Sequence, residues 1–362
     1  MGWTEERAER GTSEHVTREA RDQSAPNAAR ETQRLLEMTD VSVGFDTEDG
    51  LVRAVKGMSL ALDRAEILAL CGESGCGKTV TAMSIPRLLP PDTTRLSGSV
   101  VLDGRELTAL SEEQMRDVRG RDVSVVFQEP MTSLNPSFTV GFQIMEVVRR
   151  HERLSRAAAR ARAVELLRLV GIPDPQHRIK EFPHQLSGGM RQRVMIAIAV
   201  ACSPRVLIAD EPTTALDVTI QAGVLEVFRD LRDRLGTAII LITHDLGVVA
   251  DIADRAIVMY AGRAVEEAPV EELYARPRHP YTVGLLNALP AAAAAAGRRR
   301  LAEIPGMVPP PFTDPDACAF APRCPRAQSD CTAARPPLAR HGDHHLVACL
   351  HPVEGARAGA AP

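Results

Sequence analysis

The stretch ILALCGESGCGKT, residues 67–79, runs from a short apolar segment directly into a glycine-rich loop. The loop fits the pattern Gly-x4-Gly-Lys-[Ser/Thr], in which backbone N–H groups surround the α and β phosphates of a nucleotide. In such a loop Lys78 supplies charge to the β and γ phosphates, and the Thr79 hydroxyl is a ligand for Mg2+. We therefore predict a strand, a loop and a helix in that order, with nucleotide phosphates held by Gly72, Glu73, Ser74, Gly75, Cys76, Gly77, Lys78, Thr79 and Val80.

A second phosphate-binding pattern, LSGGMRQR at residues 186–193, begins 107 residues after Thr79. It places Ser187, Gly188 and Gly189 at the predicted start of a helix. Unpaired N–H groups and the helix dipole favour an anion at such a position. The chain therefore has two surfaces suited to the phosphates of a nucleotide.

Polar residues follow three further apolar runs at the point where each run ends. The runs span residues 123–127, 206–209 and 238–243, and they are followed by Gln128, by Asp210 and Glu211, and by His244. In an open parallel sheet, ligands bind beyond the carboxyl ends of the strands. We therefore expect these four side chains to meet beside the phosphate loop.

The four side chains suit the hydrolysis of a nucleotide. Asp210 is a natural partner of hydrated Mg2+, and Glu211 is a natural acceptor for a proton from the attacking water. His244 can donate a hydrogen bond to the γ phosphate, and Gln128 can orient water or ligate the metal. The predicted reaction is ATP hydrolysis, with Mg2+ held through Thr79, Gln128 and Asp210.

Composition excludes several other classes of protein. The chain has 362 residues, a formal net charge of −4 and a pI near 6.2, so it lacks the basic excess expected of a nucleic-acid-binding protein. Its longest apolar runs, such as Val194 to Cys202, are far shorter than the ~18 residues of a membrane span. The N-terminus has no apolar segment typical of a secretory signal. We expect a cytoplasmic protein that does not cross the bilayer.

Changes in composition along the chain predict its domains. Residues 1–33 are rich in charged and small polar residues, which predicts a flexible tail. Short β-type runs follow from residue 35, among them Val52 to Val55 and Met58 to Leu62. A helical pattern lies between Gln128 and Leu186, clearest from Arg156 to Val170. Ser155 is suited to cap that helix and Gly171 to end it. The predicted organisation is an ATPase domain at 34–275 with a helical subdomain at about 129–190, a C-terminal extension at 276–352 and a flexible tail at 353–362.

Together these motifs, from about residue 35 to 275, resemble the ATP-binding subunits of ABC transporters. The resemblance implies an α/β fold, namely a P-loop NTPase of the RecA-like type with an antiparallel β subdomain and a helical subdomain. In that family the glycine loop is Walker A, Gln128 lies in the Q-loop, VLIADE is Walker B and His244 is the switch histidine. Phe45 lies where an aromatic residue, commonly tyrosine, stacks on adenine; a core phenylalanine is the alternative interpretation.

The resemblance also implies a second ATPase subunit. ATP lies between the Walker A loop of one subunit and the signature of the other, which here is Leu186, Ser187, Gly188, Gly189 and Met190. Met190 replaces the usual glutamine, and Asp217 matches the D-loop at the dimer interface. Closure around ATP would move attached membrane subunits through the helical subdomain and the Gln128 loop. An ABC-fold ATPase with a non-transport role is the alternative, although a repair ATPase would carry a long insertion between its two phosphate motifs.

The C-terminal sequence narrows the resemblance. HPYTVGLLNALP at residues 279–290 and CAFAPRCPRAQSDC at residues 318–331 resemble the extension of peptide-importer ATPases. This implies an ATPase for di- or oligopeptides or a related small solute, peripheral at the cytoplasmic face of the cell membrane. The implied partners are a second ATPase subunit, two transmembrane permeases and an extracytoplasmic solute-binding protein. The resemblance favours a different chain as the second ATPase subunit, because this family often pairs two different chains, and an identical chain is the alternative.

Four cysteines of this extension predict a metal centre. Cys318, Cys324, Cys331 and Cys349 are spaced C-x5-C-x6-C-x17-C and lack the close C-x2-4-C pairs usual for zinc. Four thiolates also hold iron–sulfur clusters. The resemblance favours a [4Fe–4S] cluster; unligated thiols and zinc stay open, the latter because of His341, His344, His345 and His351.

The other three cysteines lie in the ATPase domain. Cys71 and Cys202 fit small buried apolar positions. Cys76 lies inside the phosphate loop, where a lysine and a helix N-terminus predict a lowered thiol pKa. On that hypothesis, alkylation of Cys76 blocks ATPase activity and bound ATP protects it.

Overall fold

The computed structural model describes residues 34–354, apart from residues 215, 296, 298–299, 301 and 311–315. The predicted tail at 1–33 and all but the first two residues of the predicted tail at 353–362 lie outside the described residues.

The described strands form two sheets. A four-stranded sheet has the order β2-β1-β4-β5, and an eight-stranded sheet has the order β11-β12-β10-β9-β3-β8-β7-β6. The strands are β1 Arg34–Thr47, β2 Gly50–Asp63, β3 Ile67–Cys71, β4 Thr94–Leu102, β5 Arg105–Glu106, β6 Val123–Val126, β7 Val206–Asp210, β8 Ala238–Thr243, β9 Arg255–Tyr260, β10 Arg263–Pro269, β11 Ala339–Arg340 and β12 Leu346–Val347.

Helices connect and cover these strands. They are α1 Lys78–Ser84, α2 Glu112–Val118, α3 Pro130–Ser133, α4 Val140–Glu152, α5 Arg156–Leu169, α6 Pro175–Arg178, α7 Gly188–Ala199, α8 Val218–Leu235, α9 Leu246–Ile252, α10 Val270–Ala275, α11 Pro280–Asn287 and α12 Pro290–Ala295. Short 3-10 turns lie at Pro183–Gln185, Ala321–Arg323 and Ser329–Thr332. Among the described residues, no helix has both the length and the apolar character needed to cross a membrane.

The centre of the larger sheet is parallel and buried. β3 pairs in parallel with β8 and β9, and β7 pairs in parallel with β6 and β8. Every residue of β3, β7 and β8 is buried, as expected for strands covered on both faces. Since β3, β6, β7 and β8 run in the same direction, the residues that follow them emerge at one edge of the sheet.

The smaller sheet is antiparallel and begins with a long hairpin. The predicted runs Val52–Val55 and Met58–Leu62 are parts of one strand, β2, which pairs along most of β1. The pairing register shifts around these runs. Gly57 lies between them at φ 68°, and its N–H donates to the Ser42 hydroxyl. The irregularity therefore interrupts the apolar pattern without ending the strand.

A helical region lies between β6 and β7. Its helix α5 begins after Ser155, whose hydroxyl accepts from the Ala158 N–H, and the chain turns at Gly171, φ 73°. Val164 and Leu167 are buried in one core with residues of α4 and α7, as their spacing predicts. The sequence prediction for this helix is confirmed to within one residue.

The C-terminal region packs against the parallel sheet. β12 pairs with β10, and the rings of Tyr260, Tyr281 and Phe320 meet with centroids 4.8 to 5.3 Å apart. These rings come from the end of β9, from α11 and from the cysteine-bearing segment. The region therefore shares its core with the strand next to the phosphate loop.

Candidate functional site

The phosphate loop joins β3 to α1, and two of its glycines have positions that exclude other residues. Gly72 has φ 144°, and a Cβ there would clash with the carbonyl oxygen of Met259. Gly77 has φ 100°, and a Cβ there would lie 2.6 Å from the carbonyl oxygen of Ala54. Contacts with β9 and β2 therefore fix the path of the loop, and glycine alone permits them.

Lys78 lies at the start of α1 with its side chain turned into the loop. The residue is 5% exposed, and its Nζ donates to the carbonyl oxygens of Gly72, at 2.8 Å, and Glu73, at 3.0 Å. A buried ammonium thus stands beside the backbone of the loop and the N-terminus of a helix. This arrangement suits a polyanion such as a nucleotide phosphate.

Thr79 and Asp210 supply oxygen donors next to the loop. The Thr79 hydroxyl donates to Asp210 Oδ1 at 3.0 Å, although the two residues are 131 positions apart. Burial raises the pKa of Asp210, and the hydrogen bond from Thr79 opposes that rise. A hydroxyl and a carboxylate in contact are the oxygen ligands that Mg2+ prefers.

Glu211 is the centre of a hydrogen-bonded group at the ends of β6, β7 and β8. Its carboxylate accepts from Gln128 Nε2 and Thr214 Oγ1, both at 3.0 Å. His244 Nδ1 lies 3.1 Å from the other carboxylate oxygen. Because an ionised carboxylate only accepts, the proton lies on Nδ1 of His244. The structure thus brings together three of the side chains that the sequence analysis singles out.

The environment of Glu211 keeps it ionised. Burial raises its pKa, but the hydrogen bonds from His244 and Thr214 outweigh that effect, and the net pKa lies below the usual value. The residue also has φ 46°, a left-handed conformation that is uncommon outside glycine, and its N–H donates to the Ile242 carbonyl. Such backbone strain clusters at functional positions.

The signature segment lies at the start of α7. Ser187 is exposed, and its hydroxyl accepts from the Met190 N–H at 3.3 Å, so it caps its own helix. A Cβ at Gly188 would meet nothing within 4 Å, whereas a Cβ at Gly189 would clash with Ile220 of α8. These contacts do not bring the segment to the phosphate loop.

Two further predicted site residues lie elsewhere. Asp217 is exposed and caps α8 by accepting from the Ile220 N–H, while Phe45 is half-buried on β1.

The structure corrects one prediction about the cysteines of the ATPase domain. Burial raises the pKa of Cys76, and the nearby Lys78 only partly opposes this, so the predicted low pKa is wrong. Cys76 is 1% exposed, which also removes the basis for easy alkylation. Cys71 is fully buried as predicted, and Cys202 is half-buried.

The four cysteines of the C-terminal region line one pocket, together with His279 and Phe320. Burial raises the pKa of Cys318 and Cys324, and that of Cys349 to about 11. Among the described residues, donor atoms of Asp330, Cys331 and His351 lie within 4.8 Å of one another, close enough to hold one metal ion. The four cysteines that line the pocket also match the ligand number of an iron–sulfur cluster.

Sequence reasoning missed three residues at the site. Thr214 donates to Glu211, Tyr281 accepts from the Glu73 N–H at 2.9 Å, and Arg323 pairs with the Glu73 carboxylate. Thr214 follows Glu211 by three residues, and the other two lie in the HPYT and CAFAPRC segments. Those segments marked the C-terminal extension, but no sequence signal connects them to a loop more than 200 residues away.

These features define a P-loop ATPase. They are a glycine loop with a buried lysine, a threonine–aspartate pair, and a glutamate at the ends of parallel strands. Solved structures with this fold include a dimeric, post-hydrolysis ATP-binding cassette, MJ0796, bound to ADP and Pi, with a TM-score of 0.59 and 26% identity over 65% of this chain and 99% of that one. CbiO1 from Clostridium perfringens, part of the ABC transporter complex cbiONQ, has a TM-score of 0.56 and 27% identity over 67% of this chain and 90% of that one.

Sequence comparisons give the family. Residues 55–214 match the ABC transporter family, and residues 265–331 match the oligopeptide/dipeptide transporter C-terminal region. The oligopeptide transport ATP-binding protein OppD of Bacillus subtilis is 50% identical, over 88% of this chain and 90% of its own length. The dipeptide transport ATP-binding protein DppD of the same organism is 46% identical, over 88% of this chain and 94% of its own length. The chain therefore belongs to the ABC transporter ATP-binding proteins that carry this C-terminal region, and it is an ATP hydrolase.

Proposed function

We propose that this chain is the ATP-hydrolysing subunit that energises an importer of di- or oligopeptides. The observation that carries the proposal is the group formed by Glu211, Gln128 and His244 beside the phosphate loop, in a chain that also has the oligopeptide/dipeptide C-terminal region. The group of side chains accounts for ATP turnover. The match of the C-terminal region to peptide transporters is the reason to assign that turnover to peptide transport.

The contacts support a separate role for each side chain. Glu211, kept ionised, accepts a proton from the attacking water, while Gln128 and Thr214 hold its carboxylate in place. With Nδ1 of His244 bound to Glu211, its Nε2 is available to the γ phosphate. Thr79, Asp210 and the amide oxygen of Gln128 would hold Mg2+, which neutralises phosphate charge when bound.

A second subunit completes the proposed site. Ser187 and Gly188 are exposed at the N-terminus of α7, and Asp217 is exposed at the start of α8. These positions support an ATP site shared between the phosphate loop of one chain and the signature of another. The phosphate loop, through Lys78, and Phe45 would hold the nucleotide from their own side of the site.

The helical region provides a surface for the permeases. Phe138 and Phe142 stack with centroids 4.6 Å apart and are 42% and 43% exposed, just beyond the Gln128 segment. Phe142 also lines a groove on this surface, together with Met145, Glu146, Arg149 and Arg156. An exposed aromatic pair on a charged helical surface suits a protein partner. We infer that the chain docks here on two permeases, at the cytoplasmic face of the membrane, and that a solute-binding protein delivers the peptide.

The test has two parts. The intact membrane complex is captured through this chain and its subunits are identified, and ATP-dependent peptide uptake is then measured in vesicles. We expect two polytopic permeases and a peptide-binding protein in the complex. Phe138→Ala/Phe142→Ala should lose the permeases yet retain the ATPase activity of the free chain. Leu235→Ala, which alters an exposed apolar residue at the end of α8, is the matched control. Capture of a different class of membrane protein, or no uptake of peptides, would refute peptide import.

We also propose that the four C-terminal thiols hold a [4Fe–4S] cluster. Their shared pocket supports this assignment, because it gathers the four thiols that such a cluster requires. The cluster would link Cys318, Cys324, Cys331 and Cys349 into one unit. Protein purified without air should contain iron and sulfide and absorb as a brown chromophore, and Cys324→Ser should lose both. Zinc without iron in the wild-type protein would favour Cys331, His351 and Asp330 as the ligands instead.

A further inference from the structure

Arg323 of the C-terminal region is paired with the phosphate loop. Its Nη1 donates to Glu73 Oε2 at 2.6 Å and its Nη2 to Glu73 Oε1 at 3.0 Å, across 250 positions of sequence. The Arg323 side chain is 4% exposed and that of Glu73 is 29% exposed. A two-point guanidinium–carboxylate pair sets orientation as well as distance. The contact therefore fixes where the Glu73 side chain lies.

Arg323 is itself held rigidly by its surroundings. Its Nε donates to the Pro305 carbonyl at 2.9 Å, its Nη2 also lies 3.3 Å from the Ile304 carbonyl, and its guanidinium lies over the Tyr260 ring at 5.7 Å. The guanidinium is a permanent cation, and it lies against the Glu73 carboxylate. Because the cation is buried, removal of its partner leaves an uncompensated charge.

Tyr281 holds the same loop residue by its backbone. The Tyr281 hydroxyl accepts from the Glu73 N–H at 2.9 Å, and the ring is fully buried against Tyr260 and Phe320. The carbonyl oxygen of Glu73 accepts from Lys78 at 3.0 Å. All three polar groups of Glu73 are therefore bound: the carboxylate by Arg323, the N–H by Tyr281 and the carbonyl by Lys78.

These contacts divide the phosphate loop into two parts. The first part, at Glu73, is bound to the C-terminal region and to Lys78. The second part, at Ser74 and Gly75, is exposed, and a Cβ at Gly75 would meet nothing within 4 Å. A loop that is already ordered on one side loses less conformational freedom when phosphates bind to the other side. Displacement of Glu73 would also remove an acceptor that orients the Lys78 ammonium.

We propose that Arg323 and Tyr281 are positioning residues of the ATPase site, which set the nucleotide affinity of the phosphate loop by holding Glu73. Neither side chain touches the reacting atoms, so they act on the binding of ATP rather than on the chemical step. The inference rests on ATP turnover by this chain, and it makes the C-terminal region a part of the ATPase site.

The test measures KM for ATP and kcat separately in the full-length chain. Arg323→Gln should raise KM for ATP about tenfold and leave kcat within about twofold of wild type. Tyr281→Phe should raise KM by a smaller factor, because it removes only the acceptor of the Glu73 N–H. Arg326→Gln, an exposed arginine three positions further along the same segment, should leave both constants unchanged.

A double variant separates positioning from general loss of structure. If Arg323 acts through Glu73, Glu73→Gln/Arg323→Gln should raise KM no more than Arg323→Gln alone. The proposal would be overturned if the double variant raised KM by the product of the two single-variant factors. An unchanged KM in Arg323→Gln would also overturn it. If Arg323→Gln does not fold, as judged by its melting curve, the KM of Tyr281→Phe decides in the same way. Absence of turnover in the wild-type chain would instead refute the ATPase assignment on which the proposal rests.

Discussion

At the residue scale, Glu211 combines three properties that a general base needs. It stays ionised because hydrogen bonds from His244 and Thr214 outweigh the effect of burial on its pKa. Its carboxylate is oriented by Gln128 from a neighbouring strand end. Its left-handed backbone, φ 46°, turns the chain immediately after β7, where Asp210 is the last residue of the strand. Adjacent residues thus have different surroundings, which suits Asp210 to a metal and Glu211 to a proton.

We expect Glu211→Gln to bind ATP normally and to hydrolyse it at least about a hundredfold more slowly, the effect typical of a missing general base. The amide keeps the size and hydrogen-bonding ability of the side chain but is not basic. Nucleotide affinity and single-turnover hydrolysis measure the two properties separately. Lys78→Ala is the contrasting variant, since it should weaken binding itself. Turnover of Glu211→Gln within a few-fold of wild type would show that Glu211 is not the base.

The sequence was most informative where chemistry depends on neighbours along the chain. Gln128, Asp210, Glu211 and His244 were found because each follows an apolar run, and parallel pairing of β6, β7 and β8 makes these ends adjacent. The environment of Cys76 was predicted wrongly, because the charge of Lys78 is visible in the sequence whereas burial is not. Arg323 was missed because its partner depends on tertiary packing across the whole domain.

At the element scale, the N-terminus of α7 offers a matched pair of glycines. A Cβ at Gly188 fits into open space, so Gly188→Ala should change the free energy of unfolding by less than about 1 kcal/mol. It should still lower ATP turnover about tenfold or more, because the methyl group would occupy the surface offered to the nucleotide of the other subunit. Urea unfolding and steady-state turnover test the two expectations.

Gly189→Ala is the structural control for that variant. A Cβ at Gly189 would clash with Ile220 of α8, so this substitution should destabilise the chain by about 1–3 kcal/mol. Equal stability losses in the two variants, or full turnover in Gly188→Ala, would contradict an exposed phosphate-binding role for this helix end.

The start of α11 predicts a dependence of stability on pH. His279 is 1% exposed, and burial lowers its pKa from 6.5 to about 4; its Nδ1 accepts from the Tyr281 N–H. The unfolded chain binds a proton at this residue below pH 6.5 while the folded chain does not, so stability falls as the pH falls from about 6.5 towards 4. Between pH 7 and pH 5 the loss should be about 2 kcal/mol.

His279→Asn isolates this contribution. Asparagine can accept from the Tyr281 N–H but does not titrate, so the variant should lose about 2 kcal/mol less than wild type between pH 7 and pH 5. Other groups near His279, including Glu266 and His345, are common to both proteins and cancel in the comparison. Identical pH profiles would mean that His279 is not the group that titrates.

Elements were predicted well where local signals agree and less well where pairing decides. α5 has a cap at Ser155, a buried apolar face and a terminal glycine, and its predicted and observed limits differ by one residue. The sequence pattern indicates two runs where the structure has the single strand β2, because the irregular residues around Gly57 break the alternation of apolar positions. Its continuity comes from hydrogen bonds to β1, which a single sequence does not reveal. The pairing of β12 with β10 also depends on hydrogen bonds between strands that are distant in sequence.

At the scale of the whole molecule, several features are complete only in an assembly. Ser187 and Gly188 are exposed at the helix end that we propose binds phosphate, and Val218, next to Asp217, is 83% exposed despite being apolar. The same chain carries a complete phosphate loop with its catalytic group. Two copies facing each other would therefore form two equivalent sites, each using the loop of one copy and the signature of the other. Such a two-fold arrangement is the commonest symmetry of protein dimers.

We expect ATP to convert Glu211→Gln from a monomer into a dimer, because ATP would join the two chains and its slow hydrolysis would prevent them from separating. Light scattering with and without ATP measures the mass directly. Addition of Gly188→Ala to this variant should abolish the dimer, since the altered signature cannot close on the nucleotide, while ATP binding to the phosphate loop persists. A variant that binds ATP but remains a monomer would contradict self-pairing. The opposing signature would then have to come from a different ATPase chain, and repeating the measurement with the ATPase subunit captured in the membrane complex would identify it.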